Sequence, residues 1–200
     1  MTTNSISSAA SNYFQKRATF SLAQKILMAC LMAALTGIAA QIRIPLPFTP
    51  VPVTGQTFAV LLSAILLGKN WGGISQFIYV GLGAAGLPWF SGFLSGPAIL
   101  LGPTGGYLIG FILAGFFLGH MLESFKLRSY WQLVLAMLVT NQIFIFGIGL
   151  AQLSVYLHLI KGQSPAFTEL LALGYFPFVI GDLIKVSLAA GVAKMLLPSK

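Results

Sequence analysis

Residues 170–193 have the sequence LLALGYFPFVIGDLIKVSLAAGVA, an apolar stretch in which Asp182 and Lys185 are the only charged side chains. About 20 apolar residues suffice for a membrane-spanning helix, so this stretch predicts one. Because residues three apart share one face of a helix, the two charges lie side by side. A charge at mid-membrane depth costs roughly 2.5–3.5 kcal/mol on insertion scales, and such residues usually face a cavity. We therefore interpret the pair as the polar anchor of a ligand pocket inside a membrane protein.

The composition places the whole chain in the same class. Of its 200 residues, 57% are hydrophobic and 7% are charged, and the mean hydropathy is +0.90, which is typical of a polytopic membrane protein. The net charge of +8 indicates membrane topology rather than nucleic-acid binding, because most Lys and Arg residues flank apolar stretches. A signal peptide ending near Ala39 and Ala40 is an alternative for the first stretch, but the apolar remainder favours a retained span.

Six apolar stretches predict an all-α membrane protein with six transmembrane helices. They cover residues 22–42, 53–67, 71–86, 106–121, 131–157 and 167–197. We expect residues 1–20 to form a polar N-terminal tail and residues 21–198 to form the membrane domain. Pro177 interrupts the last stretch, so its start is expected to be a loop or an interfacial segment.

The basic residues between these stretches predict the orientation of the chain. One side of the expected bundle has eight of them, namely Lys16, Arg17, Lys25, Lys69, Lys126, Arg128, Lys194 and Lys200. The opposite side has only Arg43 and Lys161. Cytoplasmic loops carry the excess of Lys and Arg, so both termini are expected in the cytoplasm.

Two connections on the outer side are too apolar to be ordinary aqueous loops. Residues 44–57, IPLPFTPVPVTGQT, hold four prolines within eight positions, which forbid a helix there. Residues 86–106 contain six glycines and three prolines but no charge. Irregular backbone at membrane depth is tolerated where it is buried by protein or lines a cavity. The two segments therefore predict a capped pocket that opens outward, against the alternative of poorly ordered surface turns.

Several residues and motifs argue against catalysis. Cys30 is the single cysteine, which excludes an internal disulfide and a thiolate metal site, and with His120 and His158 as the only histidines the sequence argues against metal clusters. Besides Asp182, the only acids are Glu123 and Glu169, near the ends of spans, too few for paired-carboxylate catalysis. We therefore expect no enzyme, no metal and no cofactor.

Two glycine-containing segments could suggest nucleotide binding, and both are rejected. Residues 81–86, GLGAAG, match the dinucleotide pattern, but the segment closes an apolar helix instead of following a strand. Close helix packing, or backbone approach to a ligand at Gly86, explains it better. Residues 68–70, GKN, lack the upstream glycine and the hydroxyl of a phosphate-binding loop.

The candidate substrate-binding residues are those that could surround the buried charges. Asp182 can accept two hydrogen bonds and Lys185 can donate, which suits a ligand with N–H donors beside a carbonyl. The alternative is a purely structural ion pair. The remaining candidates are Asn141, Gln56, Tyr79, Gly86, Trp89, Tyr107 and, for a carboxylate at the outer end of the first span, Arg43.

Small residues mark one face of the first span. Ala29 and Ala33 are four residues apart, with Gly37 following at the same spacing. Such a pattern allows another helix to approach closely. The partner is either internal or another subunit.

Four motifs together resemble the BioY family. They are residues 44–57 (IPLPFTPVPVTGQT), 81–90 (GLGAAGLPWF), 102–107 (GPTGGY) and 181–185 (GDLIK). The resemblance extends over nearly all of residues 18–197. Members of the family are the biotin-specific substrate-binding components (S components) of energy-coupling-factor transporters.

The resemblance implies a six-helix protein of the bacterial cytoplasmic membrane that binds biotin near its extracellular side. It implies that residues 44–54 act as a lid and that Asp182 and Lys185 contact biotin. Whether Lys185 meets the ureido oxygen or the carboxylate stays open. It further implies that Ala29 and Ala33 meet a transmembrane coupling subunit, with two ATPase subunits completing the transporter. The runner-up interpretation is an S component for another small vitamin; a lipid transferase and a passive pore are more remote alternatives.

Overall fold

The computed structural model describes residues 12–197. Two short strands, β1 (Arg43–Ile44) and β2 (Val53–Thr54), pair antiparallel. The helices are α1 (Leu22–Gln41), α2 (Gln56–Ala84), α3 (Pro97–Leu101), α4 (Gly105–Ser124), α5 (Tyr130–Lys161), α6 (Phe167–Gly174) and α7 (Phe176–Leu196). Residues 12–16 are helical and Arg17–Thr19 forms a 3₁₀ turn, so the described part of the predicted tail is ordered. Residues 1–11 of that tail and the predicted end at 198 lie outside the described residues.

Helix α2 is a hairpin of two arms. At Gly68 the backbone takes φ +80° and ψ −168°, which is not helical. Gln76 Nε2 donates to Ser63 Oγ at 3.1 Å, although 13 residues of straight helix would separate them by about 20 Å. The arms, residues 56–67 and 69–84, therefore lie antiparallel. Arg17 donates to the carbonyls of Ile65 and Leu66 that the break leaves free.

Five helices are long and apolar enough to cross a membrane within the described residues, namely α1, α2, α4, α5 and α7. Many large apolar side chains on these helices are exposed, which is the expected surface of a protein surrounded by lipid. The chain is therefore a mostly helical, multi-pass membrane protein. The helices alternate in direction, so the start of α1 and the end of α7 lie at the same end of the bundle.

Two predicted boundaries differ from the structure. The second apolar stretch is helical only from Gln56, where α2 begins, because Val53 lies in β2. The last apolar stretch breaks at Tyr175, whose φ is −133° and ψ −63°, and Pro177 occupies the first turn of α7, where proline is tolerated. The part before the break is helix α6 and not a loop.

Glycines let α4 pack against its neighbours without intervening side chains. A Cβ added at Gly115 would lie 2.8 Å from the carbonyl oxygen of Gly72 in the second arm of α2. A Cβ at Gly119 would lie 2.6 Å from the carbonyl oxygen of Gly68. On the opposite side, a Cβ at Gly110 would lie 2.9 Å from Cα of Ile145 in α5. Backbone-to-backbone contact of this kind is a common mode of helix association in membranes.

The small residues of α1 pack inside the chain. Ala29 and Ala33 are fully buried, Ala29 in a cluster with Leu67 of the first arm of α2. Thr36, on the same face, accepts a hydrogen bond from Gln76 at 3.2 Å. The prediction that Ala29 and Ala33 form a subunit interface is therefore wrong for this conformation, because α2 covers them.

Candidate functional site

A cavity of about 610 Å³ opens at the end of the bundle opposite the start of α1. Its walls come from the loop between the strands, the segment 90–104, the starts of α2, α4 and α7, and the end of α5. We call residues 45–52 the cover loop. The polar and charged side chains of the lining are Arg43, Thr49, Thr54, Gln56, Thr57, Ser91, Thr104, Tyr107, Tyr156, Asp182 and Lys185.

Asp182 and Lys185 supply the charge deep in this cavity. They lie about 9 and 14 Å along α7 from its first residue, at a rise of about 1.5 Å per residue. Both face the cavity, and Asp182 is 3% exposed. The Lys185 ammonium pairs with Asp182 Oδ1. Each carboxylate oxygen has two acceptor sites, so the pair keeps acceptor and donor capacity for a ligand.

Asn141 fixes the second carboxylate oxygen from behind. Its Nδ2 donates to Asp182 Oδ2 at 3.1 Å. Asn141 is fully buried and begins the π-helical turn Asn141–Phe146 inside α5, a distortion that often occurs at functional sites. The sequence predicted that Asn141 lines the pocket. In the structure it lies behind Asp182 and does not line the cavity.

The cover loop is attached to α6 and α7 by side-chain hydrogen bonds. Thr49 Oγ1 donates to the carbonyl of Leu173 at 2.6 Å, and the amide of Val51 donates to Thr49 Oγ1 at 3.2 Å. Lys185 Nζ donates to the carbonyl of Thr54 at 3.1 Å. The prediction that this apolar loop folds back onto the protein is confirmed, since Val51 is buried. One ammonium thus contacts both Asp182 and the base of the cover loop.

Gln56 lines the cavity, and its side chain is positioned by Tyr79 and Trp89, which do not line it. Its Nε2 donates to the Tyr79 hydroxyl at 2.8 Å, which in turn donates to the carbonyl of Trp89 at 3.3 Å. Trp89 Nε1 donates back to the carbonyl of Tyr79 at 2.9 Å. The predictions of Tyr79, Trp89 and Gly86 as lining residues are wrong for this conformation, because the first two form this supporting layer. Gly86, with φ +115°, serves the turn after α2.

Arg43 and Tyr107 line the cavity, as the sequence predicted. Arg43 lies in β1 near the mouth of the cavity, with its guanidinium against Gly92. The Tyr107 hydroxyl donates to the carbonyl of Gly174 at 2.8 Å. This bond joins the start of α4 to the end of α6 and leaves the ring facing the cavity.

The apolar walls were not predicted residue by residue. Besides aliphatic side chains and prolines, they contain the aromatic side chains Phe90, Phe111, Phe146, Tyr156 and Phe178. Phe146 packs edge-to-face on Tyr107 with ring centroids 6.2 Å apart. Aromatic residues are frequent throughout this chain, so no sequence signal distinguishes cavity walls from lipid-facing positions. A mostly apolar cavity with a few convergent polar groups suits a small amphipathic ligand.

Comparison with known proteins gives a consistent result. The BioY family matches residues 8–199. A probable biotin transporter BioY of Methanothermobacter thermautotrophicus is 41% identical over 70% of this chain and 89% of its own length. The biotin transporter BioY of Thermotoga maritima is 40% identical over 85% of this chain and 94% of its own length.

A solved structure agrees in fold. It is the crystal structure of the S-component for biotin from an ECF-type ABC transporter. It superposes with a TM-score of 0.77, is 28% identical in sequence, and the match covers 88% of this chain and 94% of that one.

Proposed function

Because the chain belongs to the BioY family, we propose that it binds biotin and takes it up as the substrate-specific component of an energy-coupling-factor transporter. It is a binding protein of a transport system and not an enzyme. The observation that carries the proposal is the buried pair Asp182–Lys185 at the base of a largely apolar cavity.

The chemistry of biotin complements that of the cavity. Its ureido ring has two N–H donors beside a carbonyl, its bicycle and tail are apolar, and its far end is a carboxylate. Asp182 accepts from a ureido N–H, and a free N–H of Lys185 donates to the ureido oxygen. The aromatic walls enclose the tail. Arg43, near the mouth, attracts the carboxylate.

The membrane arrangement follows from the hairpin in α2. We count its arms as two crossings, which with α1, α4, α5 and α7 makes six. Seven of the described basic residues lie at the end where α1 starts, whereas the cavity end has Arg43 and Lys161 besides the buried Lys185. Because cytoplasmic loops carry the excess of Lys and Arg, this asymmetry supports a cavity that opens outside and termini that lie inside the cytoplasmic membrane of a prokaryotic cell. The partners are a transmembrane coupling subunit and two ATPase subunits, which supply the energy for transport.

The proposal is tested by titrating biotin into the purified protein and its Asp182→Asn variant. The variant keeps the shape of the side chain but loses the charge that Lys185 and Asn141 surround. Truncating one partner of a buried, hydrogen-bonded charge pair costs about 2–5 kcal/mol, so we expect a loss of affinity of at least about thirtyfold. Glu169→Gln, at an exposed acid in α6, removes the same charge and should bind as the parent does.

Wild-type affinity for Asp182→Asn would overturn the assignment of the site. A panel of other vitamins on the parent protein examines the ligand independently. Binding of another vitamin with higher affinity than biotin would overturn the ligand and leave the cavity as its site.

A further inference from the structure

A second cavity, of about 290 Å³, lies at the end of the bundle opposite the biotin cavity. It lies between the start of α1, the turn of the α2 hairpin and the end of α4. We call it the basic groove. Its lining residues are Tyr13, Arg17, Phe20, Lys25, Met28, Leu67, Lys69, Asn70, Trp71 and Glu123.

The groove has an excess of positive charge. Arg17 pairs with Glu123 at 2.6 Å, so these two charges offset each other. Lys25 and Lys69 also line the groove, and neither has an ion-pair partner among residues 12–197. Lys69 is exposed and Lys25 is half-buried. The groove therefore presents two uncompensated ammonium groups to its occupant.

The floor of the groove continues into an apolar surface. Met28 and Trp71 line it, and both pack against the cluster that contains Leu67. Ile74 and Ile78, further along the second arm of α2, pack against the same cluster and are half-buried. The groove that contains Lys25 and Lys69 is thus continuous with an apolar strip between α1 and α2. Such a strip matches a hydrocarbon chain attached to an anionic head.

We propose that the basic groove binds the phosphate of an anionic phospholipid, with Lys25 and Lys69 contacting the head group and an acyl chain lying along Met28 and Trp71. A volume of about 290 Å³ is many times the space that one water molecule needs, so the groove accommodates a glycerol phosphate and not only a single ion. Tryptophan is enriched at the depth of lipid head groups, where Trp71 would lie. The proposal is independent of the biotin site, because the two cavities share no lining residue.

The test is native mass spectrometry of the purified protein in detergent with phosphatidylglycerol or phosphatidylcholine added. We expect phosphatidylglycerol to be retained in preference to phosphatidylcholine. In a Lys25→Gln/Lys69→Gln variant its retention should fall on the order of thirtyfold, about fivefold for each basic residue near an anionic surface. The matched control is Lys126→Gln/Lys194→Gln, which removes two lysines from the same end but outside the groove. This control should retain the lipid as the parent does.

Equal retention of the two lipids, or an equal loss in both double variants, would overturn the proposal. Thermal protection by inorganic phosphate or glycerol phosphate as strong as that by phosphatidylglycerol would also overturn it, since the occupant would then be a free anion. Biotin titration of the same variants shows that they are folded. Their affinity for biotin should match that of the parent, which separates a failure here from a failure of the transport assignment.

Discussion

At the scale of single residues, the site depends on how one carboxylate is held. Asp182 is bound by Lys185 from its own helix and by Asn141 from α5. Breaking a buried ion pair by removing one partner is strongly destabilising, whereas the intact pair contributes little net stability. The pair is therefore better explained by ligand binding than by folding. The Oδ1 atom of Asn141 has no hydrogen-bond partner in the part of the chain that the structure describes. Behind Asp182, one buried acceptor therefore stays unpaired.

Replacing Asn141 should weaken binding less than replacing Asp182. In Asn141→Ala the carboxylate keeps its ion pair but loses a neutral donor, worth about 0.5–1.5 kcal/mol and up to about 3 kcal/mol to a charged group. We expect biotin affinity to fall about tenfold in a titration of the purified variant. Gln142→Ala removes the same amide from the next, exposed position and should leave affinity unchanged. Equal effects of the two substitutions would show that the π-helical turn matters and the bond to Asp182 does not.

At the scale of structural elements, the cover loop is attached by few bonds. At its base, β1 pairs with β2, and Lys185 of α7 donates to the carbonyl of Thr54. Within the loop, Thr49 donates to the carbonyl of Leu173 in α6. Four prolines remove backbone donors from the loop itself. Its closure therefore depends on side chains that single substitutions can remove.

Thr49→Val should accelerate biotin release. Valine keeps the shape of the side chain but cannot donate to Leu173, and the loss of one hydrogen bond, about 1 kcal/mol, predicts dissociation about fivefold faster. The association rate should change little, because substitutions that weaken contacts to a bound ligand act mainly on the dissociation rate. Stopped-flow or surface-immobilised kinetics would measure both rates. Thr168→Val, at an exposed position of α6, is the control, and an equal effect there would contradict the attachment.

The packing of α4 allows a test of stability. In Gly115→Ala the new methyl group would meet the backbone of Gly72, which cannot move away cheaply. Overpacking costs about 1–3 kcal/mol, which outweighs the gain in helix propensity of up to about 1 kcal/mol. We expect a lower midpoint of thermal unfolding in detergent. Gly191→Ala, where nothing lies within 4 Å of the added Cβ, should leave the midpoint unchanged or raise it.

At the scale of the whole molecule, the two ends differ in chemistry. One end holds the cavity with the buried ion pair, and the other holds most of the basic residues and the basic groove. The helices between them expose apolar side chains to lipid. The molecule therefore presents its binding site on one side of the membrane and its positive charge on the other.

Labelling in intact cells would establish this orientation. In a Cys30→Ser background, a cysteine at Gln163, which is exposed beyond α5, should react with a membrane-impermeant maleimide. A cysteine at Ser124, exposed at the end of α4, should react only after the cells are permeabilised. The reverse pattern would place the biotin cavity inside the cell.

Much of this architecture could be predicted from the sequence, because lipid imposes strong constraints on it. Apolar stretches, prolines and glycines were enough to locate most of the helices and the two irregular segments at the cavity end. The isolated charges Asp182 and Lys185 could be predicted to face a cavity because charges are costly at membrane depth, and both line it. Arg43, Gln56 and Tyr107 also line the cavity.

The predictions that failed concern which face of a helix contacts which neighbouring element. Tyr79 and Trp89 were predicted to line the cavity, yet they support Gln56 from behind. For Ala29 and Ala33 the pattern left an internal helix and another subunit as alternative partners, and α2 covers both residues. In a chain that is apolar on every face, periodicity does not distinguish a helix face toward protein from one toward lipid. The partners of small residues therefore had to come from the three-dimensional structure.

The prolines of the cover loop also determine how its movement can be observed. Pro45, Pro47, Pro50 and Pro52 have no backbone hydrogen, so deuterium exchange is silent at half of the eight positions in the loop. Phe48 lies among them with an exposed ring. A fluorine atom on that ring would give a nuclear magnetic resonance signal in a loop where half of the positions give no isotope uptake.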